Sequence, residues 1–136
     1  MTAIAAVLTP NAPAPTPIFS QGVRAGALLQ VSGQGPVDPE TGECVHAGDV
    51  AAQTTRALQN VLAVVAAGGG TFDDIAMLRV YLTTRDDFAA MNGAYGAFVK
   101  KHSTTGVLPS RTTVMVGLPR REMLVEIDAL AVLDRA

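Results

Sequence analysis

Ile75-Ala76-Met77-Leu78-Arg79-Val80-Tyr81-Leu82-Thr83 is the stretch on which the fold turns. Successive side chains of an extended chain point to opposite faces. Leu78, Val80 and Leu82 therefore share one side, and Met77, Arg79 and Tyr81 the other. That alternation predicts a half-buried strand over 75–83. Both flanks read as helix. Upstream, Val50, Thr54, Ala57, Val61 and Val65 mark one face of a predicted helix from Asp49 to Ala67, with Leu58 and Leu62 beside it. Asp49 at its start accepts from free amides and suits the positive end of the helix dipole. Gly68-Gly69-Gly70 ends it, since glycine tolerates the left-handed conformation of a helix C-terminus. Downstream, Thr84-Arg85-Asp86-Asp87 resembles a capping box with Asp in place of the usual Glu. A second helix is predicted from Arg85 to His102, with Phe88, Met91, Tyr95 and Phe98 as its buried stripe. Lys100, Lys101 and His102 suit its negative end.

Further out, Ala27 to Gln34 reads as a strand and Asp38-Pro39-Glu40-Thr41-Gly42 as a turn. Residues 43–48 read as a loop. Pro10, Pro13, Pro15 and Pro17 force residues 9–17 into an extended, irregular path. Pro109 precedes two last predicted strands, Arg111 to Leu118 and Met123 to Leu133, joined through Pro119-Arg120-Arg121. The order is strand or strands, helix, strand, helix, strand, strand. It predicts an α+β fold with two helices on one face of a sheet.

The chain has 136 residues, which fits one domain spanning 1–136. Hydrophobic residues make up 49% and charged residues 16%, which excludes a disordered class and suggests apolar surface hidden in an oligomer. Aromatics are 4% with no Trp, so Ala, Val and Leu must supply the core. Net charge is −2, so no basic excess exists to attract nucleic acid. Cys44 is the single cysteine, which excludes an intramolecular disulfide and argues for a reducing compartment. No segment approaches the ~20 apolar residues of a membrane helix. The apolar run Ala3–Leu8 is short and lacks a basic leader, so no signal peptide is expected. These features predict a soluble, cytoplasmic protein.

The last two strands carry the candidate chemistry. Paired as a hairpin centred near Pro119-Arg120, they set Thr112, Val114 and Val116 opposite Ile127, Val125 and Met123. Arg111 and Thr113 then fall opposite Asp128 and Glu126 on the other face, with Glu126 diagonal to Arg111. Two readings of that face stand. One is a solvated surface with a weak cross-strand ion pair. The other is a carboxylate-binding Arg, whose planar fork matches a carboxylate, beside a proton-handling Glu.

Other motifs carry less. Ser32-Gly33-Gln34-Gly35 fails as a phosphate loop, because Asp38 takes the third glycine's place and no P-loop Lys follows. It reads as a strand end that another backbone or a ligand approaches. Ser32 lacks a nucleophile-elbow context. Cys44-Val45-His46 reads as loop rather than metal site. Asn92 and Tyr95 read by themselves as packing or surface residues.

An ordered set of segments resembles the Rid family of reactive intermediate deaminases (RidA/YjgF-like). It runs through Phe19-Ser20-Gln21, Val31-Ser32-Gly33-Gln34, Asp38-Pro39-Glu40-Thr41-Gly42, and Asp49, Gln53 and Asn60. It continues with Val80-Tyr81-Leu82, Asp87-Phe88, Asn92, Tyr95 and Pro109-Ser110-Arg111, and closes on Leu118-Pro119 and Val125-Glu126-Ile127. The resemblance implies a chorismate-mutase-like α+β fold, assembled as a homotrimer with active sites between subunits. It implies hydrolysis of 2-imino acids, formed from enamines such as 2-aminoacrylate, to 2-keto acids and ammonia. It implies no cofactor and no metal.

By position, Arg111 matches the arginine that grips the substrate carboxylate. Glu126 matches the acid that orients or activates water. Ser32 and Asn92 match pocket-lining residues. Two positions depart from the family pattern. Phe19 stands where many members have Tyr. Thr113 stands where the best-known deaminases have Cys, a place that can serve through its backbone amide. Competing functions are a non-catalytic sensor of small carboxylates and a hydrolase of another aminoacrylate on the same scaffold. RNA cleavage or translation inhibition is opposed by the acidic balance, the scarce aromatics and the missing His pair.

Overall fold

The computed structural model describes residues 3–133. Strands β1 (Ile4–Val7), β2 (Gly22–Ala25) and β3 (Leu28–Gln34) precede helix α1 (Val50–Ala67). Strand β4 (Ile75–Leu82), helix α2 (Phe88–His102), and strands β5 (Ser110–Met115) and β6 (Val125–Val132) follow. Among the described residues one mixed six-stranded sheet forms in the order β1-β2-β3-β6-β4-β5. Both helices cover one of its faces, as the α+β pattern predicts.

Local chemistry explains most of the elements. The Asp49 carboxylate accepts from the Ala52 amide (3.0 Å), capping α1. Beyond its end, Gly69 sits at φ +97°, a backbone that side chains resist. Leu78, Val80 and Leu82 are fully buried against the helices, as the alternation of 75–83 requires. The start of α2 differs from expectation. The Thr84 hydroxyl accepts from the Asp86 amide, and residues 85–87 wind as a 3-10 turn before the α-helix begins at Phe88. Phe88 is also exposed, so the buried stripe of α2 is Met91, Tyr95, Phe98 and Val99.

The predicted hairpin of the last two strands does not form. β5 pairs with β4 in parallel, and β6 pairs antiparallel with both β3 and β4. A parallel neighbour needs a crossover, and α2 supplies it between β4 and β5. The connection over 116–124 is long enough to carry the chain across β4 to the centre of the sheet. Burial explains the preference. Val125, Ile127, Ala129 and Ala131 are all 0% exposed, which only a central strand beneath α1 achieves.

Buried polar side chains fix the irregular segments. Gln53 of α1 donates to the Glu122 carbonyl (2.9 Å) and accepts from the Leu124 amide (2.8 Å), seating the chain as it enters β6. Asn60 donates to the carbonyls of Gly35 (3.0 Å) and Val37 (2.9 Å), holding the turn after β3. Gln21 bonds both backbone groups of Thr9 and the carbonyls of Ala12 and Pro13, which ties down the proline-rich segment. Each satisfies backbone groups that would be costly to bury alone.

Candidate functional site

Arg111 lies on the edge strand β5, opposite Leu78 of β4. Directly paired residues share a face, so its side chain runs toward α2. There Nη1 donates to Asn92 Oδ1 (2.8 Å). The guanidinium carbon lies 4.6 Å from the Tyr95 ring centroid and 5.8 Å from that of Phe88. Phe88, Asn92 and Tyr95 are four and three residues apart, one stripe of a helix. The Tyr95 hydroxyl is buried without a hydrogen-bond partner. Burial pushes its proton affinity up, and the Arg111 charge acts the other way. Thr113, opposite Val80, faces the same side, and its hydroxyl too is buried without a partner.

Glu126 lies on β6 opposite Tyr81, on the other face of the sheet. It is half-buried. Burial pushes its carboxyl above the ordinary carboxylate range, and the Asp128 charge adds to this. It lines a cleft of about 490 Å³ together with Phe19, Gly33, Arg120 and Met123. A Cβ on Gly33 would stand 2.8 Å from Glu126 Oε2, so glycine is what lets the carboxylate lie against β3.

The predicted Arg111–Glu126 diagonal is therefore corrected. β4 lies between their strands, and their side chains leave the sheet on opposite faces. The expectation that Thr112 and Val114 join Ile127 and Val125 on an apolar face is corrected with it, because Thr112 and Val114 lie exposed on the open face. A cross-strand ion pair does exist on that face, between Arg79 and Asp128 (2.7 Å). The Tyr81 hydroxyl donates to the other Asp128 oxygen (2.9 Å). Asp128 raises the Arg79 guanidinium and, after burial, the Tyr81 phenol. Sequence reasoning assigned this trio no role. The pairing of Arg79 with Asp128 depends on β6 lying beside β4, which no local pattern reveals.

Ser32 is pinned rather than presented. Its hydroxyl donates to the Ser20 carbonyl (2.6 Å), and its amide to the Gln21 carbonyl (2.9 Å). It anchors the segment that carries Phe19. Phe19 is 51% exposed over the cleft, so a hydroxyl added to its ring reaches water or a ligand rather than a dry core. Phe19→Tyr is accordingly expected to leave the melting temperature unchanged. A lowered melting temperature would show a cleft rebuilt around Phe. Among the described residues no group of three or more His, Cys, Asp or Glu could hold a metal ion, and no helix is long and apolar enough to cross a membrane.

Known proteins match nearly the whole chain. A family model described as Endoribonuclease L-PSP matches residues 9–133. A 2-iminobutanoate/2-iminopropanoate deaminase of Salmonella typhimurium is 40% identical over 126 residues, covering 93% of this chain and 95% of that protein. A RutC family protein of Pyrococcus horikoshii is 38% identical over 125 residues, covering 92% and 94%. The crystal structure of Escherichia coli TdcF with bound serine superposes with a TM-score of 0.86 at 36% identity, covering 94% of this chain and 98% of that one. With a family model spanning residues 9–133 and relatives 38–40% identical over more than nine-tenths of the chain, the chain belongs to the Rid (YjgF/RidA) family.

Proposed function

We propose that this protein hydrolyses reactive 2-imino acids to 2-keto acids and ammonia, in sites formed between the subunits of a homotrimer. The observation that carries the reading is the placement of Arg111 and Glu126 on opposite faces of one sheet. One chain cannot close both around a small substrate, whereas two neighbouring copies can. The open face supports such packing. Leu28, Val114 and Val132 are exposed on it, apolar surface of the kind that marks an interface. The 40% identity to proteins named 2-iminobutanoate/2-iminopropanoate deaminase supports the reaction.

In this reading the Arg111 fork binds the substrate carboxylate. Glu126 of a neighbouring copy takes a proton from water as its oxygen bonds to the imine carbon. The C=N π pair moves to nitrogen, which receives the proton. The resulting carbinolamine then passes its hydroxyl proton, by way of the Glu126 carboxylate, to the nitrogen. The O–H electron pair forms the C=O bond as the C–N bond breaks, releasing ammonia and leaving the keto acid. The imine carbon is already electrophilic, so holding the substrate and relaying a proton suffice. Positioned acid–base help of this kind is worth ~10²–10⁴ in rate. Asn92 fixes one end of the fork, Thr113 and Phe19 line the substrate's surroundings, and Ser32 acts through the Phe19 segment.

Two measurements test this. Fresh 2-aminoacrylate, generated in place by a dehydratase acting on serine, should release ammonia faster when the protein is added. Binding of the keto acid without acceleration would mark a sensor instead. Sedimentation at micromolar concentration should give about three times the 14.0 kDa chain mass. A mass near that of one chain would remove the composite site.

A further inference from the structure

An arginine on an edge strand is a poor clamp unless something holds it. Its long side chain loses rotamer freedom when fixed, and a ligand must otherwise supply that ordering. Here one helical stripe does so before any ligand arrives. Asn92 holds one nitrogen of Arg111, and the Arg111 guanidinium carbon lies over the Tyr95 ring, 4.6 Å from its centroid. Phe88 stands further out at 5.8 Å.

Tyr95 is 7% exposed, so its own position is fixed by the core. Its hydroxyl has no partner, so the grip comes from the ring alone. From this we infer that Tyr95 is a positioning residue for the reaction: its ring face, not its hydroxyl, pre-orients the Arg111 fork for a carboxylate. The inference rests on the reading of Arg111 as the carboxylate clamp.

The test uses Tyr95→Phe and Tyr95→Leu in the full chain. Tyr95→Phe keeps the face and should keep wild-type kinetics. Tyr95→Leu keeps apolar bulk but loses the face, and should raise KM for an imino acid about tenfold with kcat nearly unchanged, the size expected of a partly desolvated cation–π contact. In an Arg111→Ala background the same substitution should change nothing further, because coupled residues are not additive. A residue that merely packs would lower the melting temperature and leave this KM pattern absent.

An independent readout needs no variant at Tyr95. The Arg111 Nε–H proton, assigned by its loss in Arg111→Lys, should be shifted upfield by the ring in wild type. An unshifted proton, or a Tyr95→Leu effect that persists in Arg111→Ala, overturns the inference while leaving the clamp intact. An Arg111→Ala protein with unaltered kinetics overturns both.

Discussion

If Arg111 clamps the substrate carboxylate, Arg111→Ala should lower kcat/KM for a 2-imino acid by at least about a hundredfold, because two charge-assisted hydrogen bonds of ~1.5–3 kcal/mol each would be lost and a decade in rate is ~1.4 kcal/mol. The fold should tolerate the change. Arg111 lies on an edge strand, and its hydrogen bond to Asn92 is at the surface. Arg111→Lys should recover only part of the loss, since a point charge cannot reproduce the planar fork. An imine analogue without a carboxylate separates binding from general damage, for it should be handled alike by wild type and variant. Equal turnover of the imino acid by both proteins would reject the clamp and most of the enzymatic reading with it.

Glu126→Gln should preserve the fold and lower the rate by ~10²–10⁴, the usual worth of a positioned acid–base group. Its stability should move the other way. The folded state raises the Glu126 carboxyl above its ordinary 4.5, through burial first and Asp128 second. Between 4.5 and the raised value the native state therefore holds more protons than the unfolded chain, and stability falls as pH rises through that window. Gln carries no charge at any pH. Glu126→Gln should thus melt higher than wild type at pH 7, with the gap closing below the ordinary carboxylate range. Thermal melts across pH 4–8 check this. A variant that melts lower at neutral pH would show that the carboxylate has a stabilising partner in the assembly.

Where chemistry is local, the sequence was enough. The alternation over 75–83, the Asp49 cap, the glycine stop after Ala67 and the order of elements all appear in the structure, because each depends on neighbours in the chain. Pairing was not legible. Treating 111–118 and 123–133 as a hairpin assumed that consecutive strands lie side by side. The parallel β4–α2–β5 unit and the burial of Val125, Ile127, Ala129 and Ala131 decide otherwise. That single misplacement put Arg111 on the wrong face and hid the Arg79–Asp128–Tyr81 trio. The stripe of Phe88, Asn92 and Tyr95 could have been found from its helical spacing. Its target could not, because only the parallel register sets Arg111 beneath it.

The central position of β6 also governs how the protein is made. Strands β1 to β3 are neighbours in both sequence and sheet and form one contiguous patch. β4 and β5 form another through α2. Neither patch shares an edge with the other until β6 arrives between them. On a ribosome adding ~5–20 residues per second, a nascent chain therefore spends seconds with two open sheet edges, one on β3 and one on β4. Every contact that joins the halves spans a long loop, the condition that slows folding and exposes edges to other chains. β6 thus acts as a keystone strand, and the order of synthesis leaves the β3 and β4 edges waiting for it.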